Sequence, residues 1–130
     1  MTPELTVLAL AGLLQAGQYA VYSVLGNLQV GPRVAMGPRD APVALTGLAG
    51  RMQRAMNNHF EGLILFTLAV VVCVLGDKTT GFSGTMAWTY LVARLLYVPA
   101  YGFGLAPWRS IIWFVGFLAT LAMIVSALVF

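Results

Sequence analysis

Charge is scarce in this chain. Of its 130 residues only 8% are Asp, Glu, Lys or Arg, four acids and seven bases, against about 25% in an ordinary water-soluble domain. No Gly-x-Gly-x-x-Gly run, P-loop or Ser-centred elbow occurs, so nucleotide-binding and hydrolase readings lack their usual supports. Cys73 is the only cysteine, which excludes an intrachain disulfide and leaves core packing or a lipid-facing position. His59 is the only histidine; with no second His or Cys at ligand spacing, no metal site is expected, and the ring is expected among headgroups. A basic n-region and an A-x-A-like cleavage site are missing before the first apolar stretch, whose only early charge is Glu4, arguing against a removable signal peptide. The net charge of +3 is small and its arginines are spread between a loop, helix ends and a span, so nucleic acid is not an expected partner.

What the chain has instead is apolar length. Hydrophobic residues make up 60% of it, concentrated in stretches at about 5–28, 60–75, 85–103 and 110–130. Each is near the roughly 20 residues that cross a hydrocarbon layer as helix. Lipid offers no partners to open sheet edges, and barrel strands would alternate apolar with polar residues, so helices are favoured. The expected architecture is all-α: one integral membrane four-helix bundle over 1–130, in contact with membrane lipids. With four spans, Arg33, Arg39, Arg51, Arg54 and Arg109 fall on one face against Lys78 on the other; the positive-inside rule makes the arginine-rich face cytoplasmic and puts both termini outside. A bacterial inner membrane is the expected location.

Gly31, Pro32 and Arg33, then Gly37, Pro38, Arg39, Asp40 and Pro42, make the first loop irregular to about Leu45. From Thr46, a candidate N-cap, to Leu75 no proline intervenes, so the second helix should project about four turns beyond its apolar span. Gly12 and Ala16 form a small-xxx-small pair suited to close helix contact.

The chemistry lies in polar residues that the spans carry. At 100° per residue, Arg51, Arg54, Asn58 and Glu61 fall within an arc of about 80° along roughly 15 Å of helix. Arg54 and Glu61 are too far apart to pair on one helix, so each needs a partner from another helix, another subunit or a ligand; Arg94 is the first candidate. An unpaired arginine in mid-span costs about 2.5 to 3.5 kcal/mol on insertion scales, so Arg94 must face protein or water. Tyr97 and Tyr101 follow on its helical face, while Tyr90 and Trp88 read as packing or interfacial anchors. Arg109 and Ser110 open the fourth helix after Pro107, where free backbone N–H groups and the helix dipole would favour an anion. An interhelical salt-bridge network is one explanation. Against it, five arginines near this face meet only Glu61 and Asp40, which a small anionic ligand would balance.

The run Arg51-Met-Gln-Arg54-Ala55-Met-Asn-Asn58-His-Phe-Glu61 resembles the signature of the MAPEG superfamily, membrane-associated proteins in eicosanoid and glutathione metabolism. Arg94, Tyr101 and the run Ala106-Pro107-Trp108-Arg109-Ser110 extend the resemblance over most of the chain. It implies a four-helix protomer in a homotrimer, glutathione bound between subunits near the cytoplasmic face, and a lipophilic substrate entering from the bilayer. It further implies that Arg54, Asn58, Glu61, Arg94, Tyr97 and Tyr101 hold the tripeptide, with Arg109 and Ser110 near its sulfur as the catalytic pair. Met56, Asn57, Ile64 and Leu65 depart from the family pattern, which often has a cation after the Arg-Ala pair and a proline beyond the glutamate.

The expected function is therefore a glutathione transferase or peroxidase acting on a lipophilic electrophile through an activated thiolate. The alternative is a non-catalytic lipid-binding or scaffold protein of the same fold. A small-multidrug-type transporter would need an acid deep in the first span, where only Gln15 and Gln18 are found.

Overall fold

The computed structural model describes residues 1–31 and 45–130; the first loop, expected to be irregular, with Arg33, Arg39 and Asp40, lies outside the described residues. Four helices run Pro3–Val30 (α1), Gly47–Leu75 (α2), Gly81–Gly102 (α3) and Trp108–Val129 (α4), and no strand occurs among the described residues. The bundle is up-down-up-down. Glu4 meets Ser83 at the starts of α1 and α3, whereas Gln15 meets His59 and Arg51 meets Gly102, so α2 runs opposite to both.

Local chemistry sets the helix ends. Thr2 caps α1 by accepting from the Leu5 amide at 3.3 Å, with Pro3 in the first turn, where its missing N–H costs nothing. Thr80 and Ser83 form a reciprocal capping box at the start of α3. Thr46 occupies the N-cap position of α2, but its side chain makes no cap bond. Its hydroxyl and carbonyl instead accept from Gln29 Nε2 at 3.3 and 3.0 Å, and its N–H donates to Gln29 Oε1 at 2.9 Å. One amide side chain thus ties the end of α1 to the entry of α2.

α2, with 29 residues, is about 44 Å long, well beyond the roughly 30 Å hydrocarbon core. α1, α2 and α4 are long and apolar enough to cross a membrane. α3 is not among them, although four spans were expected. It carries Ser83, Thr85, Thr89, Tyr90, Arg94, Tyr97 and Tyr101, and several of these are buried, so its polarity turns inward.

Apolar packing and polar groups occupy different halves of the bundle. Val7, Ala11, Phe66, Val70, Cys73 and Met123 belong to one buried cluster at the end where α3 begins. There Phe66 and Tyr90 stack with ring centroids 4.0 Å apart and planes 4° from parallel. Cys73 is fully buried, its thiol 3.7 Å from the Met123 carbonyl. Large apolar side chains such as Leu13, Val24, Ile64, Leu68, Val92 and Leu118 face outward, as lipid contact requires. Gly12 and Ala16 are also exposed, and a methyl at Gly12 would touch nothing within 4 Å. The small-residue pair is therefore not used within the protomer.

Candidate functional site

The polar stripe of α2 faces α3. At its start Arg51 Nε donates to the Gly102 carbonyl at 2.8 Å. A Cβ at Gly102 would come within 2.6 Å of the Met52 methyl, so glycine permits this close helix approach. One turn on, Arg54 Nε donates to Tyr101 Oη at 3.0 Å. A further turn on, Asn58 Oδ1 accepts from Arg94 Nη1 at 3.1 Å. Arginine therefore crosses between the helices three times, each time to a neutral oxygen.

Arg94 is 2% exposed, and its Nε and Nη2 have no hydrogen-bond partner among the described residues. The expected Arg94–Glu61 junction is not a hydrogen bond in the protomer. Both residues instead line one cavity of about 170 Å³, together with Asn58, Tyr90, Trp113 and Thr120. The Arg94 guanidinium lies 4.5 Å from the Tyr97 ring centroid, and the ring face contributes attraction that bulk water would otherwise supply.

Arg109 enters from α4, its guanidinium 4.8 Å from the centroid of Tyr101. The Arg54 guanidinium lies 5.9 Å from the same centroid. One tyrosine thus organises two cations, and with Tyr97 only 5.6 Å away between centroids, α3 presents a paired aromatic surface to them. Arg109 and Ser110 line a second cavity, of about 610 Å³, with Asn58, Tyr97, Ile111 and Phe114. Asn58 and Trp113 border both cavities.

The backbone at the start of α4 differs from expectation. The Arg109 N–H donates to Leu105 O at 3.0 Å, and those of Ser110 and Ile111 donate to Pro107 O at 3.1 and 3.3 Å. The preceding turn thus consumes these amides before any anion could use them. The Arg109 guanidinium and the Ser110 hydroxyl are the side-chain groups left for an anion there.

Of the residues singled out in the sequence, Asn58, Tyr97, Arg109 and Ser110 border the larger cavity, and Asn58, Glu61 and Arg94 the smaller. Arg54 and Tyr101 border neither and reach the site through the Tyr101–Arg109 stack. Met56 is buried and Asn57 exposed, so of the two positions where the family often has a cation only 57 points out of the bundle. His59 is not among headgroups. It is fully buried, with Nδ1 2.7 Å from Gln15 Oε1, because residue 59 falls on the α1-facing side of α2. Tyr90 was missed as a site residue, though its position four before Arg94 places both on one helical face. Trp113 was missed as well, since a tryptophan inside an apolar span looks like packing.

The site is a set of cationic, phenolic and amide groups from α2, α3 and α4, opening onto an apolar α4 wall. Such a set can seat an acidic peptide and hold negative charge on an atom beside Arg109. No curated protein matches the chain, and no solved structure matches it. The model of the MAPEG family matches residues 6–129, nearly the whole chain and every element that builds the two cavities, so the protein belongs to the MAPEG family.

Proposed function

We propose that the protein binds glutathione in the two cavities that Asn58 and Trp113 both border and uses its thiol against a lipophilic electrophile, as a transferase or peroxidase. The observation that carries this reading is the convergence of Asn58, Arg94, Tyr97, Arg109 and Ser110 on one level of a bundle whose family is associated with glutathione metabolism. Glutathione offers two carboxylates and one ammonium; Arg94, Arg109 and Arg54 match the former and Glu61 the latter. The residues fit the tripeptide, because Arg94 Nε and Nη2 are two buried donor nitrogens without a partner among the described residues.

When bound, glutathione supplies a sulfur nucleophile, and the chain's task is to favour its anion. A guanidinium and a hydroxyl lower a nearby thiol's pKa by stabilising the thiolate. Arg109 is fixed for this by its stack on Tyr101, and Ser110, next in sequence on the same cavity wall, donates through its hydroxyl. The apolar flank of Ile111, Phe114 and Val115 would receive a lipophilic substrate from the bilayer. Glu61 is exposed on the protomer, which costs less where a second subunit or the ligand covers it; assembly as a homotrimer is part of the proposal. So is an orientation with the arginine end cytoplasmic, in a bacterial inner membrane. The departure at Asn57 favours the second reading, a non-catalytic lipid-binding or scaffold protein.

The test is thermal stabilisation of the detergent-solubilised protein by glutathione and by S-methylglutathione, followed by thiol consumption with 1-chloro-2,4-dinitrobenzene and with cumene hydroperoxide. Stabilisation with turnover is expected. Stabilisation without any turnover would favour the binder, and no stabilisation by either peptide would remove glutathione from the account.

A further inference from the structure

A groove of about 440 Å³ runs along the outside of the α3–α4 contact, apart from the polar site. Its α3 wall is Thr85, Trp88, Thr89, Val92, Ala93 and Leu96, at a spacing that keeps all six on one helical face. Buried Ala93 forms the floor, with exposed Val92 and Val115 beside it. The helices meet closely there, since a Cβ at Gly116 would lie 3.4 Å from that of Ala93.

The groove offers little to a polar ligand. Thr85 Oγ1 donates to Gly81 O and Thr89 Oγ1 to Thr85 O, each at 2.8 Å, so both hydroxyl protons are used within α3. Apart from Trp88, the other lining side chains are aliphatic. Two of them place the groove against the site: Ile111 and Val115 also line the 610 Å³ cavity of Arg109 and Ser110. A ligand lying in the groove therefore ends beside residues that wall that cavity.

Size and direction select the ligand. At about 30 Å³ for a water-sized group, close to a methylene, 440 Å³ holds roughly fifteen, enough for one long chain and too few for the two of a phospholipid. Along α3 the stretch from Thr85 to Leu96 is about 17 Å long. α3 runs toward the arginine end, so Leu96 and Ile111 mark the end of the groove next to the site and Thr85 the far end. A chain with its head by Ser110 and its tail toward Thr85 lies as any lipid of that leaflet lies, head at the surface and tail in the hydrocarbon, and enters without inversion.

We propose that this groove holds the hydrocarbon tail of a single-chain electrophile, with the reactive carbon beside Arg109 and Ser110. The proposal rests on the glutathione reading of the site and names its co-substrate class, an unbranched lipid whose electrophilic carbon is near the polar end. Bilayer chains are as apolar as the groove, so the groove contributes orientation and not hydrophobic affinity.

The experiment uses the full chain in lipid nanodiscs and has two readouts. For occupancy, tetradecanol carrying a terminal diazirine is photolysed with the protein and the labelled peptides are mapped. Labelling should be saturable, concentrate around Thr85 to Thr89, and be lost in Thr89→Trp, which lays an indole across the groove. For turnover, glutathione is supplied with trans-2-hexenal or trans-2-tetradecenal; the C–S bond forms at the β-carbon, the C=C electron pair moves to the α-carbon, and that carbon takes a proton from water. Thr89 lies about 10 Å along the helix from Leu96, past the end of the short tail and within the span of the long one. Thr89→Trp should therefore lower the long-to-short ratio of kcat/KM by about tenfold or more. Partition into the bilayer is common to both proteins and cancels from the comparison. Val92→Trp, at an exposed position, repeats the block should Thr89→Trp fold poorly. Diffuse and unsaturable labelling, or none, as a second copy seated on this face would give, overturns the proposal and leaves the glutathione reading intact. An unchanged ratio after labelling has been abolished also overturns it, assigning the groove to a bystander lipid. Saturable labelling with no turnover of either alkenal by the wild type overturns the glutathione reading and the co-substrate assignment with it.

Discussion

Gln15 Oε1 and His59 Nδ1 lie 2.7 Å apart, joining α1 to α2 at mid-height of the bundle. His59 Nε2 and both amide atoms of Gln18 are buried there without partners among the described residues, so this bridge is the principal polar tie of a layer that is otherwise underused. Gln15→Leu should strip His59 of its remaining partner. Interhelical hydrogen bonds in membrane bundles average about 0.6 kcal/mol and reach about 1.7, and the cost should fall in the upper part of that range because a buried ring is orphaned. Unfolding in mixed micelles would measure it, and Gln15→Leu combined with His59→Leu should cost less than the two single changes added.

Arg109→Ala should lower turnover by about a hundredfold, the scale of losing one donor to a developing anion, while glutathione affinity changes only a few-fold. Steady-state kinetics beside calorimetric binding separates the two quantities. Equal losses in both would place Arg109 in binding and not in thiolate stabilisation.

Glu61→Ala should act in the opposite sense. On the proposed reading the change removes a charge-assisted contact to the peptide's ammonium worth about 1.5 to 3 kcal/mol, so affinity should drop at least tenfold with kcat at saturation largely kept. A kcat defect with unaltered affinity would contradict this role.

Phe66→Ala should destabilise the bundle by about 3 to 5 kcal/mol, the range for emptying a fully buried aromatic position, and should also free the Tyr90 ring that it stacks upon. Glutathione affinity should fall with it. Phe66→Leu, which keeps most of the volume, should recover much of the stability but not the fixed ring, and comparison of the two separates packing from placement.

Ser83→Ala should remove half of the α3 capping box and leave the buried Glu4 carboxylate without its partner. The expected loss is about 1 to 3 kcal/mol, read as a lower midpoint of thermal unfolding, with glutathione affinity unaffected because the change lies at the other end of the bundle.

The helical bundle was legible because apolar length near the thickness of a bilayer admits few other structures. The site was legible where residues share a helical face: Arg51, Arg54 and Asn58 do meet α3, and Arg94 with Tyr97 does turn inward. What periodicity along one helix cannot give is the rotation of that helix against its neighbours. For that reason His59 is expected among headgroups when it faces α1, and Tyr90 reads as packing although the residue lines the smaller cavity. The spent amides at the start of α4 were hidden for a different reason. They depend on the path of the Leu105–Pro107 turn, which residue types alone do not specify.

Glu4, Ser83 and Thr80 knot the first turns of α1 and α3 together at the extremity farthest from the arginines, and the stacked, close-packed half of the interior begins directly beneath. A pair of tongs has the same plan, with a riveted joint at one tip and free jaws at the other. If the helices spread at the arginine end, that joint would be their natural pivot, and loosening it would change how far they part without altering any side chain of the polar site.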